Sequence, residues 1–285
     1  MVNFGVGEAN ARSTFFDKMI KQVTDRSYVM KQAVSVVSSD AWTNYFFRED
    51  TSLLSAGSGT AVKGISRGAE FPTADAAWDR VSTTLEKYGM ESVISWEDLK
   101  TNQIDVQTRT SIKLGEAVAY AVDSQIYTAI TTDGAIQSFA IANGYEWNST
   151  SAAILDDLFQ GAEKIKDYNY PTDTLLCFVN SREKRSIMKY LAEKGAQFPQ
   201  IANDVALNGE IGNLAGIKIL ESKAIAASRA LIVVPKRCGT WRELQALTTI
   251  TKEDPYKSLV IRAVEAGVLN LSDPKAVVFI KNTRA

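Results

Sequence analysis

Hydrophobic positions between residues 101 and 131 recur every three or four residues, which is the period of a helix with one buried side. The pattern predicts a single helix over 101–131, about 40 Å long. A second stripe of this helix is polar and is expected to face solvent. The apolar stripe contains Ile104, Thr108, Ser111, Ile112, Gly115, Val118, Ala119, Val122, Ile126, Ala129 and Ile130, and the polar stripe contains Asp105, Arg109, Lys113, Glu116, Tyr120 and Asp123.

Upstream of this helix, residues 51–95 carry the pattern of an extended ribbon. The glycines that punctuate its polar first part are Gly57, Gly59, Gly64 and Gly68. Apolar positions are spaced along the remainder, and we predict 60–67 and 78–95 as the two arms of a long ribbon. Because an isolated two-stranded ribbon is marginally stable in water, it is expected to lie on another subunit.

From residue 151 onward, the pattern is that of helices and strands in alternation. A helix over 152–168 and a helix over 182–194 are separated by a buried strand at 174–179. Ser181 is predicted to be the N-cap of the second helix, and Gly195 is predicted to end it. Further strands are predicted at 216–221, 229–234, 258–264 and 275–281.

Residues 1–50 contain a polar arm, a helical pattern and an aromatic cluster. The arm covers 2–10, and apolar residues at helical spacing follow it. The cluster consists of Trp42, Tyr45, Phe46 and Phe47. No basic face accompanies it, which disfavours binding to a membrane surface. We interpret the cluster as part of a core or as a contact between subunits.

Composition and charge place the chain among ordinary folded proteins, with 45% hydrophobic and 23% charged residues. Lys and Arg total 32 against 33 for Asp and Glu, so the net charge is −1. Proteins that hold nucleic acid tightly usually carry a basic surplus, so tight binding of DNA is not expected. No apolar run is long enough to span a membrane, and the first residues lack the pattern of a secretory signal; neither membrane insertion nor export is expected.

The chain has no histidine and two cysteines. Without an imidazole there is no histidine-based catalytic triad and no zinc site of the usual kind, which makes catalysis less expected. Cys177 lies in an apolar strand pattern and Cys238 in a turn, and nothing resembles a disulfide framework. We therefore predict a reducing compartment, no catalytic residues, no cofactor and no metal.

Two other features resemble a ligand-binding loop and a catalytic pair, but only superficially. Residues 57–64 resemble a phosphate-binding loop, but Val62 and Gly64 flank Lys63 where that motif requires glycine and a hydroxyl residue. Ser181 and Lys184 could be a nucleophile and a base, but a helix cap and a surface charge are the simpler interpretation. A flexible loop and a capped helix account for both features.

Three groups of segments, in this order, resemble the major capsid protein family of tailed viruses, which has the Hong Kong 97 fold. The stretches similar to the family's extended loop and its return to the spine helix are 67–72, 78–82 and 93–99. The stretches similar to its axial domain are the helix 152–168, the strand 174–179 and the helix 182–193. The stretches similar to the closing strands of its axial and peripheral domains are 213–220, 231–235, 260–262 and 274–280.

The resemblance implies an α+β fold with an extended β-hairpin loop, a long spine helix, a peripheral domain and an α/β axial domain. The implied divisions are an N-terminal arm and helix at 1–50, the extended loop at 51–95, the peripheral domain with the spine helix at 96–150, the axial domain at 151–255 and the return strands of the peripheral domain at 256–285.

The resemblance also implies a structural subunit that packs as hexamers and pentamers into an icosahedral shell around double-stranded DNA. The expected partners are copies of the same chain, a separate scaffold protein, a portal, and packaged DNA that is not bound tightly or specifically. The expected locations are the virion and, during assembly, the host cytoplasm. The residues expected to contact neighbouring subunits are Trp42, Phe46, Phe47, Lys63, Arg67, Glu70, Phe71 and Trp78.

Two alternatives remain open from the sequence. The first is a shell protein of an encapsulin-like compartment, which shares this fold but encloses cargo enzymes. The second is a small-molecule-binding α/β enzyme built on residues 151–285. The first alternative predicts particles without a genome, and the second predicts a small species with a ligand pocket.

Overall fold

The computed structural model of the chain describes residues 18, 20, 28–49, 67, 68, 70, 78–101, 106–194, 211 and 213–284. The strands are β1 (Ser35–Ser38), β2 (Thr43–Glu49), β3 (Trp78–Thr84), β4 (Glu86–Ser95), β5 (Gln137–Ala140), β6 (Leu175–Val179), β7 (Asn213–Leu214), β8 (Ile217–Glu221), β9 (Arg229–Val233), β10 (Thr240–Asp254), β11 (Ser258–Asn270) and β12 (Val277–Lys281). The helices are α1 (Trp96–Thr101), α2 (Val106–Thr132), α3 (Ile154–Lys166) and α4 (Ser181–Glu193), with short 3-10 turns at Met30–Ala33 and Pro274–Ala276.

A six-stranded sheet in the order β5-β12-β9-β6-β8-β7 forms the larger part of the core. Consecutive residues of β9 and β12 are buried, so both faces of the sheet are covered. Helix α3 packs closely, because a Cβ atom at Gly161 would lie 2.5 Å from Cδ1 of Ile232. The strands predicted at 174–179, 216–221, 229–234 and 275–281 are confirmed as β6, β8, β9 and β12.

The second large sheet has the order β1-β10-β11-β4, and α2 packs against it. The predicted long helix is confirmed as α2, while residues 102–105 lie outside the described part of the chain. The strand predicted at 258–264 is confirmed and continues to Asn270 as β11. The residues of α2 that are buried are Ser111, Leu114, Gly115, Val118, Ala119, Val122, Asp123, Ile126 and Ile130.

Asp123 corrects the prediction of a fully solvated polar stripe. Its side chain is only 3% exposed, and its carboxylate accepts hydrogen bonds from the backbone N–H groups of Val29 (2.9 Å) and Met30 (3.1 Å). Burial raises the pKa of Asp123 to about 6, although these hydrogen bonds act in the opposite direction. The residue therefore fixes the start of the Met30–Ala33 turn against α2.

A buried ionic cluster joins the same turn to the four-stranded sheet. The ammonium of Lys31 lies 2.5 Å from Glu265 and 3.4 Å from Glu243, and the hydroxyl of Tyr28 donates to Glu265. Glu265 is fully buried, so its charge requires these partners. The segment before β1 is thus held by both α2 and the sheet.

The pairing of the predicted ribbon is also corrected. β3 pairs with β2 over its whole length, and β4 pairs with β11, so 78–95 is two strands with partners in the same chain. The predicted arm 60–67 lies outside the described residues except for Arg67. The hairpin is therefore formed by β2 and β3, and Tyr45, Phe46 and Phe47 of the aromatic cluster belong to its first strand.

The start of α4 differs by one residue from the prediction. The side chain of Asn180, not Ser181, accepts a hydrogen bond from the backbone N–H of Arg182 at 3.3 Å. Ser181 is instead the first helical residue, and its hydroxyl donates to Glu221 at 2.5 Å. Gly195 lies outside the described residues.

The strands that share a sheet do not all come from the same predicted domain. β10 lies in the four-stranded sheet, although 151–255 is predicted as one axial unit. β5 and β12 lie in the six-stranded sheet, although their segments are predicted to be peripheral. The chain therefore passes between the two sheets several times. Among the helices that the structure describes, none has the length and apolarity that crossing a membrane would require.

Candidate assembly surface

The hairpin of β2 and β3 has one strongly exposed aromatic face. The two strands pair from Thr43 opposite Thr84 to Glu49 opposite Trp78. Residues directly opposite each other share a face, so Tyr45, Phe47 and Trp78 lie on the same side. Their exposed fractions are 58%, 60% and 57%. Three large apolar side chains on one side of a thin ribbon form a surface suited to contact another molecule.

A cation lies within this outward face. The guanidinium of Arg80 stands 4.1 Å from the centre of the Tyr45 ring and is directly opposite Phe47. Cation–π contact of this kind fixes the orientation of both side chains at little cost in solvation. Trp42, which precedes β2, is also 52% exposed.

The opposite face of the hairpin is turned towards its own chain. All of its residues except the exposed Asp79 are half-buried, and the half-buried ones are Asn44, Phe46, Arg48, Val81 and Thr83. Phe46 and Phe47 are adjacent in sequence and are both predicted contact residues, but they lie on opposite faces because side chains alternate along a strand. Phe46 is therefore part of the inward face.

Polar contacts fix the hairpin to residues at the ends of α2 and β11. The guanidinium of Arg48 lies 2.6 Å from the carboxylate of Asp133 and donates to the carbonyl of Leu271 at 3.2 Å. The hydroxyl of Thr83 donates to the side-chain oxygen of Asn270 at 2.6 Å. At the root, Leu85 is 2% exposed and its N–H donates to the carbonyl of Trp42 at 2.9 Å. These contacts orient the hairpin without covering its aromatic face.

The other predicted contact residues fall between the two strands in sequence. Arg67 and Glu70 are exposed, and Lys63 and Phe71 lie outside the described residues. Tyr45 belongs to the outward face and is predicted only as a member of the aromatic cluster, while Arg80 of the same face is not predicted. The alternation of β2, in which Thr43, Tyr45 and Phe47 share a side, is the signal that separates Tyr45 from Phe46.

The two cysteines and the pair Ser181 and Lys184 have well-defined surroundings. Cys177 and Cys238 are fully buried, and burial raises the pKa of each thiol to about 12, so both remain protonated near neutral pH. Ser181 and Lys184 both bind the carboxylate of Glu221, and their hydrogen bonds lower the pKa of Glu221. Within the described ranges, no group of three or more metal-ligating side chains is arranged to hold a metal ion.

Comparison with known proteins identifies the fold. The chain is similar in structure to a virus-like particle protein from Pyrococcus furiosus (TM-score 0.65, 10% identity, 95% of this chain and 99% of that chain). It is also similar to the protein in the structure of Mycobacterium phage Che8 (TM-score 0.66, 14% identity, 90% and 92%) and to that of the capsid of the cyanophage P-SCSP1u (TM-score 0.65, 14% identity, 89% and 88%). The predicted α+β Hong Kong 97-type capsid fold is thereby confirmed.

Sequence comparison gives the family directly. No curated protein matches the chain. Residues 79–280, well over half of the chain, match the family model described as phage capsid protein. This match includes most of β3, the long helix and every strand of the two large sheets except β1 and the last residue of β12, so it covers most of the structural core. The chain belongs to the phage capsid protein family.

Proposed function

We propose that this chain is the major capsid protein of a tailed virus and assembles as hexamers and pentamers into an icosahedral shell around double-stranded DNA. The observation that carries the proposal is the outward face of the β2–β3 hairpin, with Tyr45, Phe47 and Trp78 each more than half exposed. A member of a capsid family with a polar-anchored ribbon and an uncovered aromatic face is suited to lateral contact with copies of itself.

The expected free energy of this contact is small, which suits a shell held together by many such contacts. Covering the exposed parts of three aromatic side chains removes on the order of 300 Å² of apolar surface from water, worth on the order of 8 kcal/mol. The loss of translational and rotational freedom on association costs a comparable amount, about 4–15 kcal/mol. A single contact is therefore weak, and closure of a symmetric shell, in which each subunit makes several contacts, provides the stability.

The proposal includes further partners. A separate scaffold protein and a portal direct assembly in the host cytoplasm, and the subunit then remains in the virion. The net charge of −1 suits a wall that encloses DNA without binding it tightly. The role is structural and requires no catalytic activity.

A second candidate is a shell that encloses protein cargo instead of a genome. It is supported by the similarity to the virus-like particle protein of Pyrococcus furiosus, which spans almost the whole of both chains. Nucleic acid in purified particles, measured by absorbance and nuclease digestion after opening the shells, supports the genome-enclosing function. Particles that contain only protein support the second candidate.

The first experiment is electron microscopy of the purified chain together with its sedimentation profile. Shells or capsomers are expected. A small species under all salt and scaffold conditions would contradict the proposal. The hairpin is tested with a variant that carries Tyr45→Ser, Phe47→Ser and Trp78→Ser, which is expected to fold normally by circular dichroism and to form no shells.

A matched control carries Tyr120→Ser and Tyr145→Ser. These tyrosines are 54% and 56% exposed and lie outside the hairpin. The control is expected to assemble like the wild type. If the hairpin variant assembled as well as the control, the aromatic face would have no role in assembly.

A further inference from the structure

Strand β4 is a long and regular edge of the four-stranded sheet. All ten of its residues pair with β11 in one uninterrupted register, from Ser95 opposite Ser258 to Glu86 opposite Gly267. Within the described part of the chain, β4 pairs with β11 alone. About half of its backbone N–H and C=O groups therefore point away from the sheet, in the arrangement that accepts another strand.

The other long strand of this sheet differs. β10 has irregularities in register between Glu243 and Gln245 and between Gln245 and Thr248, and β1 covers its first residues. Such irregularities twist an edge and prevent further pairing. β4 has neither feature, so among the described residues the sheet is protected at one edge and open at the other.

Two large apolar side chains of β4 are also uncovered. Met90 is 54% exposed and Val93 is 61% exposed, on opposite faces of the strand. A cavity of ≈ 280 Å³ opens beside the middle of the strand. Its lining residues are Lys87, Gly89, Met90, Glu91, Arg262 and Val264.

The sequence of β4 is complementary to itself when two copies run antiparallel about Gly89. Lys87 of one copy then lies opposite Glu91 of the other, and the same pair recurs on the far side of the axis. Tyr88 lies opposite Met90, which joins an aromatic ring to a thioether at the place where Met90 is exposed. Glu91 already binds the guanidinium of Arg262, so each end gains a three-member ionic group.

Other two-fold registers are less favourable. A two-fold axis normal to the sheet keeps each face on its own side, so some residue must lie directly opposite its own copy, with the axis midway between the two. Centring it on Glu91 places that carboxylate opposite itself, which is repulsive. Centring it on Met90 places Lys87 opposite Val93 and Glu86 opposite Ile94.

We propose that β4 is a two-fold contact site, at which β4 of a second copy adds antiparallel about Gly89 and joins the two four-stranded sheets into one of eight strands. This contact rests on the proposed shell function, and it is separate from the hairpin surface. It is isologous, since each copy contributes the same residues. It therefore links subunits in pairs, whereas a head-to-tail contact would link them in rings.

Disulfide trapping tests the register directly. In this pairing Glu86 lies opposite Ser92 of the second copy, and directly opposite residues have the Cα separation that a disulfide needs. A variant with Glu86→Cys and Ser92→Cys is expected to assemble when reduced and to become mostly covalent dimer when mild oxidant is added to the particles. The native thiols of Cys177 and Cys238 are buried and do not compete.

The controls for trapping are the two single variants, Glu86→Cys and Ser92→Cys. In a single variant the residue opposite the new cysteine is not a cysteine, and the cysteine of the second copy lies six residues further along the strand. Neither single variant is therefore expected to crosslink. A ladder of trimers to hexamers from the double variant contradicts the two-fold geometry. Oxidised particles that contain only monomer contradict the contact while leaving the shell function intact. A wild-type chain that forms no particle overturns the shell function and this contact together.

Charge reversal gives an independent readout. Lys87→Glu places two glutamates opposite each other at both ends of the contact, and we expect the yield of particles to fall at least tenfold. Adding Glu91→Lys restores reciprocal opposite charges, and we expect it to recover most of the yield. Lys113→Glu on the exposed side of α2 is the matched control and should assemble normally. Equal yields from Lys87→Glu and the double variant would contradict the pairing.

Discussion

The six-stranded sheet and the β2–β3 hairpin use the same residue types for opposite purposes. In the sheet, Phe178 is fully buried in the hydrophobic core. In the hairpin, Phe47 is 60% exposed, and the ribbon is fixed by Arg48 and Thr83 on its other face. The sheet is stabilised within the monomer, whereas the hairpin is only oriented there. This difference is the basis for our proposal that the apolar surface of the hairpin serves contact between molecules.

The largest expected contrast is between two phenylalanine truncations. Phe178→Ala removes a buried ring and leaves a cavity, so the free energy of unfolding should fall by about 3–5 kcal/mol. Phe47→Ala removes an exposed ring, so the free energy of unfolding should change by less than about 0.5 kcal/mol while assembly weakens. Denaturant unfolding of the monomer and sedimentation of assembled material measure the two effects. A loss of stability from Phe47→Ala as large as that from Phe178→Ala would abolish the contrast.

The second prediction concerns the buried carboxylate of Asp123. Its pKa rises from the ordinary value of 3.8 to about 6, because burial penalises the charged form. The folded chain thus holds this proton more tightly than the unfolded chain. The stability contributed by the group is highest below pH about 4, falls as the pH rises to about 6, and stays low above that.

Comparison with Asp123→Asn separates the effect of Asp123 ionisation on stability from the effects of the other titratable groups. The stability of the wild type relative to the variant should fall between pH 4 and pH 6, by about 3 kcal/mol at most. Denaturant unfolding of both proteins at half-unit pH intervals provides the measurement. Parallel pH profiles would show that Asp123 does not titrate in this range. The variant should leave the exposure of the hairpin aromatics unchanged, as read from tryptophan fluorescence quenching.

The anchor of the hairpin should have a smaller effect on stability. Arg48→Ala removes a partly buried ion pair with Asp133 and a hydrogen bond to Leu271, at a cost of about 2 kcal/mol in unfolding free energy. Assembly should be impaired more than stability, since the aromatic face loses its orientation. Arg48→Lys keeps the charge but not both contacts and should be intermediate in assembly. Normal shells from Arg48→Ala would show that the anchor is dispensable.

The smallest effect is expected at the helix surface, away from both regions. Lys189 and Glu193 form an exposed pair at 3.5 Å on α4. Lys189→Ala should change the free energy of unfolding by less than about 0.5 kcal/mol, because water and salt screen such pairs. Denaturant unfolding at low and high salt measures it. An effect above about 1 kcal/mol would mean that α4 carries a contact beyond this pair.

Elements with a strong local pattern could be predicted from the sequence. The strands β6, β8, β9 and β12 are short apolar runs bounded by turns, and burial on both faces requires such runs. Helix α2 follows from a long stripe of period 3.6. β10 was missed, because it is half exposed and its irregularities at Gln245 interrupt the alternation that marks a strand.

The candidate surface was predicted only in part. An aromatic cluster at 42–47 and a contact at Trp78 were recognised, but not that β2 and β3 pair and so bring them to one face. The partner of a strand is set by long-range pairing, and many segments have a compatible alternation. Asp123 was misassigned for a related reason: its place on the polar stripe says nothing about the turn at Met30 that packs over it.

The sequence by itself determined the kinds of elements, their order and the absence of histidine chemistry, because periodicity and composition are properties of each segment alone. The tertiary structure decided which strands pair, which side of the hairpin is uncovered, and which edge of the four-stranded sheet is open. These depend on the free energy of burying segments far apart in the chain against one another, and that free energy is shared by both partners. The pattern of one segment therefore cannot identify the distant segment that packs against it.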